Sequence, residues 1–291
     1  MNVFLPLFTS GIALGSVYAA IALGFVLIFK SASILNFAEG DFVMLAIYLA
    51  ILFAISWGLP SWIAIPFVVI AMGIVGLMVH YAVARPLIGK PFFSLVLATI
   101  GIGLIMRAAI IAWFGVREMR PLAFFPNGLF HIGSAAIAYS DVGIVVVNLL
   151  SVAIFAALFR YTPIGLRMRA VADNLEAAVI VGINTDRIFA VAWMVGLAVS
   201  AIGAILYANF TSSIDLSVAD IGLHAIPAAI IGGMTSIFGA VVGGLLLGFL
   251  EQVGGGYLGA GWRDFFSFGS LFVVLMLRPQ GLFGRKEVER V

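Results

Sequence analysis

Asn36, Glu39 and Asp41 put an amide and two carboxyls into one short stretch, S-I-L-N-F-A-E-G-D-F at residues 33–42, between two apolar runs. Lys30 is the nearest basic residue. Such groups have two readings. In a loop facing water they need no partner. In a broken helix inside a membrane they line a solute path, because ionisable groups at depth face a cavity or pair with one another. A weaker echo stands at residues 213–222, S-I-D-L-S-V-A-D-I-G, again with two acids ahead of an apolar run. Two such segments in the two halves of a chain are what an internal repeat leaves behind. Gly232, Gly233 and Thr235, which interrupt a later apolar run, join the candidate path.

A second stretch offers docking rather than path chemistry. Residues 160–187 read R-Y-T-P-I-G-L-R-M-R-A-V-A-D-N-L-E-A-A-V-I-V-G-I-N-T-D-R, which predicts two short helices. Thr162 can cap the first, with Pro163 at its first position, where a missing N–H costs nothing. Asp173 can cap the second, with Glu176 three residues on in capping-box spacing. Gly182 is placed to end it. The second helix is about two turns long, too short to be stable alone in water. It carries Ala177, Ala178, Val179, Ile180 and Val181. A short apolar helix held outside a membrane suits a groove on another protein. The alternative is that the stretch only joins two spans and packs on its own chain.

Other chemistries lack their residues. There is no cysteine, and His80, His131 and His224 are too scattered for a metal cluster. No metal site and no cofactor are expected. The phosphate-binding G-x-x-x-x-G-K-[ST] loop is missing, as are H-E-x-x-H and G-x-S-x-G. No nucleophile with a paired base stands out, so the chain does not read as an enzyme. No basic cluster interleaved with aromatics points to nucleic acid. The apolar runs hold too few acids and bases for a proton relay, so the drive for transport is expected to come from another subunit.

The elements that must position these groups are membrane spans. Of the 291 residues, 64% are hydrophobic and 10% charged, far below the roughly 25% charged of a soluble domain. Apolar runs, most of them long enough to cross a membrane, cover residues 7–29, 42–57, 62–80, 92–114, 142–159, 188–208 and 265–277. The start lacks the basic region of a signal peptide, so the first run reads as a retained span. Placing residues 160–187 in the cytoplasm puts Lys30, Arg85, Lys90, Arg160, Arg167, Arg169, Arg187, Arg278, Arg285, Lys286 and Arg290 inside. Only Arg117, Arg120 and Arg263 then fall outside, with Arg107 within a span. That bias sets the N-terminus outside and the C-terminus in the cytoplasm. Residues 223–250 must then start and end on the outer side. They are too short for two crossings, which need about 40 residues, so a re-entrant pair of short helices broken at 232–236 is expected. His224 and Glu251 flank this region, as gate or scaffold. Arg107 lies about 10 Å of helix from the outer end of its span, within reach of a local partner. The expected fold is an all-α polytopic transmembrane bundle of about 7 to 9 membrane segments, with residues 1–291 as one domain. Gly11/Gly15, Gly239/Gly243, Gly244/Gly248 and Gly255/Gly259 share G-x-x-x-G spacing, which close packing within the chain would explain.

Glu176-Ala177-Ala178, three residues and then Gly182 resemble the EAA loop of ATP-binding-cassette (ABC) importer permeases, without the usual continuation toward I-x-L-P. The shortened form looks like the LivH-type branched-chain amino acid permeases. Residues 15–24, G-S-V-Y-A-A-I-A-L-G, are similar to that family's N-terminal pattern, and residues 278–284, R-P-Q-G-L-F-G, to its ending. Residues 170–187 and 231–248 also look like family segments, so the likeness covers nearly the whole chain. One departure is Asn36-Phe37-Ala38-Glu39-Gly40-Asp41, where the family commonly shows a histidine at the position of Glu39 and a glutamate at that of Asp41. It leaves the solute open among branched-chain amino acids, urea, amides and aromatic acids. The resemblance implies a loop, with Arg167, Arg169, Asp173, Glu176, Ala177, Ala178 and Gly182, that docks on an ATPase. It also implies two ATPase subunits, a second, LivM-type permease, and a periplasmic or lipid-anchored solute-binding protein.

Overall fold

The computed structural model describes residues 3–32, 34–120, 124–126, 128–132, 135–211 and 213–284. Arg285, Lys286 and Arg290, which the charge count uses, lie outside the described residues, as does Ser33. Eight of the described helices are long and apolar enough to cross a membrane. In chain order the helices are α1 (Phe4–Ala32), α2 (Glu39–Ile51), α3 (Ser61–Val79), α4 (Arg85–Leu87), α5 (Phe92–Phe114) and α6 (Tyr139–Tyr161). Then come α7 (Pro163–Asp173), α8 (Leu175–Ile180), α9 (Thr185–Tyr207), α10 (Ile221–Gly232), α11 (Ile237–Leu258) and α12 (Arg263–Leu277). π-helical turns at Leu52–Ser56 and His80–Ala84 prolong α2 and α3. The result is the all-α membrane bundle that the apolar runs require, since helices satisfy their own backbone groups in lipid. The expected run at 92–114 is α5 itself.

α1 is the central column. Every residue from Ala13 to Ile28 is buried, so this helix is apolar all round because it is covered all round. α11 packs along it in the opposite direction. A Cβ on Gly15 would press on the Leu245 backbone, one on Gly244 would strike the Ala19 backbone, and one on Gly248 would strike Gly15. The paired glycines therefore form a seam within the chain. Gly259 does not belong to it; it ends α11 at φ +105° with open space around it. α9 packs on the other side of α1, with Gly24 against Gly196 and Ser200.

The break at residues 233–236 falls where the sequence placed it. α10 has 12 residues. It is preceded by a 3-10 turn at Leu216–Asp220 and runs back along α11, with Gly232 against Gly239 and Gly243 against Ala228. α11 is longer than expected: it runs on to Leu258 and is itself of membrane length. It can do so because its polar residues, Glu251 and Gln252, are buried against the bundle. Residues after α12 return to the end of α10, where Leu282 N donates to Ile231 O (2.8 Å) and Phe283 N to Gly232 O (3.0 Å).

The ends of α1 and α6, the start of α9, and α7 and α8 gather on one face, where the Lys30 ammonium stands 5.8 Å from the Phe159 ring centre. On the opposite face lie the ends of α9 and α11 and the start of α12. There the long connection after α5 forms a small hairpin that the sequence did not suggest, β1 (Leu129–Ile132) with β2 (Ala135–Ala138), antiparallel. Met119 bridges Ile214 across that face.

Candidate translocation path and docking face

α2 begins abruptly inside the bundle. Residues 34–38 are not helical, and Asn36 and Glu39 are fully buried. Ser200 Oγ on α9 donates to Glu39 Oε1 (2.5 Å), and Asn36 Nδ2 donates to Oε2 (2.8 Å). Asp41 Oδ1 accepts from Arg107 Nε (2.5 Å), the local partner foreseen for that arginine. Two acids in the first turn of a buried helix suit the positive end of its dipole. This stretch is therefore a non-helical entry to α2 buried in the bundle, and Asn36, Glu39 and Asp41 are bonded to protein. Glu39, the departure from the family pattern, is one of those bonded groups.

The echo at 213–222 comes to the same place. Gly40 and Gly222 are in backbone contact; a Cβ on Gly40 would collide with Ala219 O, and one on Gly222 with Gly40. The starts of α2 and α10 thus meet. Gly232, Gly233 and Thr235 do not join them. They lie at the far end of α10, roughly 15 Å of helix away, with Gly232 and Gly233 buried and Thr235 exposed. Gly233 and Gly281 are in backbone contact.

A cavity of about 460 Å³ opens where α9 stops short and α11 hands over to α12. Its chemistry comes from Tyr18, Asp220, His224, Glu251, Arg263 and Asp264. Glu251 is 1% exposed. Tyr18 Oη donates to its Oε2 (2.7 Å), and His224 Nδ1 lies 2.9 Å from its Oε1. The imidazole is also stacked on the Tyr18 ring, 6.0 Å between centres and 5° between planes. Asp220 sits at the N-cap of α10 without a capping bond from its side chain. Arg263 opens α12, with its aliphatic stem over Gly255. The sequence flagged His224 and Glu251, and Asp220 within the 213–222 stretch, but not that they meet, because the wall is assembled from α1, α10, α11, α12 and the segment after α9. An acid just before α10 and a base just before the last apolar run were the available signals.

On the other face the loop chemistry is local. Thr162 caps α7, accepting from Gly165 N (3.1 Å), with Pro163 first in the helix. The cap of α8 is Asn174, whose Oδ1 accepts from Ala177 N (2.9 Å). This corrects the expectation for Asp173, which is the last residue of α7; the capping-box register with Glu176 shifts by one because α7 holds its helical form through Asp173. Asn174→Ala should therefore destabilise α8 by about 1 kcal/mol. Amide hydrogen exchange over residues 175–181 should quicken about fivefold; unchanged exchange would count against the assignment. Gly182, at φ +81°, closes α8: its N–H donates to Val179 O (3.0 Å), and Ile183 N donates to Ala178 O (2.9 Å). That pair is the Schellman arrangement.

Arg169 donates to the Phe159 and Arg160 carbonyls, so it ties α7 to the last turn of α6. Arg167 is exposed and, with Arg187 and Gly182, borders a cleft of about 370 Å³. Ala178 is buried and anchors α8, while Glu176 and Ala177 are exposed. Beyond them Ile180 is 84% and Val181 73% exposed. An apolar tip standing clear of its own chain is unusual unless something covers it.

Eight membrane-length helices, with a polar cavity at one face, make this a multi-pass membrane protein. The chain belongs to the family described as "Branched-chain amino acid transport system / permease component", whose profile matches residues 7–275. It is 31% identical over 303 residues to the high-affinity branched-chain amino acid transport system permease protein LivH of Escherichia coli K12, covering 99% of this chain and 98% of that protein. LivH of Salmonella typhimurium LT2 is 30% identical over 302 residues, at the same coverage. BraD of Pseudomonas aeruginosa PAO1 is 29% identical over 301 residues, again at 99% and 98%. No solved structure matches.

Proposed function

We propose that this chain is a permease subunit of an ABC importer that brings branched-chain or related hydrophobic amino acids across the inner membrane. The observation that carries the reading is α8, capped at both ends and anchored by Ala178, with Ile180 and Val181 outside the bundle. Its face also holds Lys30, Arg167, Arg169 and Arg187, as a cytoplasmic face should. Residues 1–291 act as one permease domain with residues 160–187 as its coupling loop, the N-terminus outside and the C-terminus in the cytoplasm. Two ATPase subunits hold α8, a second permease of the LivM type completes the path, and a solute-binding protein delivers to the opposite face. The chain hydrolyses no ATP itself. Closure of the ATPases moves α7 and α8 as a lever and rocks the bundle between outward and inward access.

Affinity purification from native membranes in mild detergent, with mass spectrometry of what accompanies the chain, tests this. The expected result is two ATPases and a second permease. Recovery of the folded chain alone, passing solute in liposomes without ATP, would replace the reading with a self-contained facilitator.

A further inference from the structure

The cavity beside α10 carries charges of both signs that the bundle itself does not need. Glu251 is held on both oxygens by Tyr18 and His224. These bonds fix a rigid wall. Asp220 and Arg263 are different. Both are exposed into the cavity, and among the described residues neither side chain makes a hydrogen bond or ion pair. Asp264 stands at the rim, 3.7 Å from His224 Nε2 and too far for a direct bond.

We infer that this cavity binds the zwitterionic head of an α-amino acid, Asp220 taking the ammonium and Arg263 the carboxylate. The inference rests on the importer reading and adds a site to it. Three arguments support it. The cavity, about 460 Å³, is of the size that holds one small solute. Two charge-assisted hydrogen bonds and an α-carbon unit between them span roughly 8 Å, which such a cavity accommodates. Charge selects as well as attracts. A lone carboxylate would face Asp220, Glu251 and Asp264, and a lone amine would leave the Arg263 guanidinium without an anion, so only a solute with both charges pairs Asp220 and Arg263 together.

The same walls bear on the side chain. Leu14, Phe210 and Ile221 line the cavity beside the polar groups, so leucine has apolar surface to meet and should bind more tightly than alanine, by up to roughly tenfold per methylene.

The test is equilibrium binding of radiolabelled leucine to the purified complex in nanodiscs, with the solute-binding protein omitted. Alanine should compete, more weakly than leucine. 4-Methylpentanoate, isopentylamine and acetamide, each lacking one or both head charges, should not. Asp220→Asn and Arg263→Gln should each weaken binding roughly tenfold to a hundredfold. Asp220→Glu and Arg263→Lys should recover most of it, which a folding defect would not allow. Competition by the decapitated analogues, or binding indifferent to both substitutions, would overturn the site. ATP-driven leucine uptake by the same wild-type complex, with the solute-binding protein restored, is scored separately. Intact uptake with no head-group site sinks only this inference; absent uptake sinks the importer reading.

Discussion

Replacing Gly248 by valine is expected to leave little folded permease in the membrane. A side chain there would enter the space of the Gly15 backbone, and the neighbouring contacts of Gly15 and Gly244 are also with backbone. A flexible side chain can swing aside, but two helix backbones can separate only together. Ordinary overpacking costs about 1–3 kcal/mol. Here the whole α1–α11 seam must part, so a cost at or above the top of that range is expected. Against a total stability of about 5–15 kcal/mol that is a large fraction. α1 is also the column on which α9 and α10 rest, so the damage spreads. In detergent the variant should aggregate on size exclusion, or melt about 10 °C below wild type. Gly101→Ala is the control, since nothing lies within 4 Å of a Cβ there. A Gly248→Val protein that melts with the wild type would show that the seam is looser than described.

Gly182→Val should do the reverse: leave the bundle intact and disable it as an importer. A valine at φ +81° is a strained outlier, costing roughly 1–3 kcal/mol. A Cβ there meets nothing within 4 Å, so the strain falls on the end of α8 alone. α8 has only 6 residues and depends on its two caps. With the Schellman bonds weakened, the Ile180–Val181 tip loses its fixed direction. Glu176→Lys attacks the same surface without strain, by reversing an exposed charge. Uptake in proteoliposomes should fall at least tenfold for each, the loss expected when a central interface contact fails. ATP hydrolysis should no longer track uptake, and the melting temperature should stay within a few degrees of wild type. Normal uptake in both variants would sink the lever.

Much of this architecture is legible in the chain because it is decided locally. Membrane-length apolar runs become helices wherever they stand, so α5 appears with the bounds the hydropathy draws. Thr162, Pro163 and Gly182 act through atoms within a few residues of themselves, and each does what its type predicts. Asp173 and Asn174 mark the limit of that logic. Either can cap, and the choice depends on how far α7 continues, which packing decides. The paired strands β1 and β2, four residues each, are too short to announce themselves by alternation. The cavity is the least legible feature: Tyr18 and Arg263 are unremarkable where they stand in sequence, and Asp220 and Glu251, though noticeable there, gain their shared meaning only when the helices meet. The buried contact between the starts of α2 and α10 lies between these extremes. The two acid-bearing stretches are visible, but that they touch is not.

α10 has its ends fastened to different parts of the molecule. At its start, Gly222 is locked against Gly40 of α2; at its end, Ile231 and Gly232 are bonded to the segment that follows α12. In mechanical terms it is a connecting rod about 18 Å long, and a rod hinged at both ends passes displacement on with little loss. Asp220 and His224 stand at its start. A tilt of α12 against the bundle would therefore shift the cavity wall and pull on the buried start of α2 in one stroke.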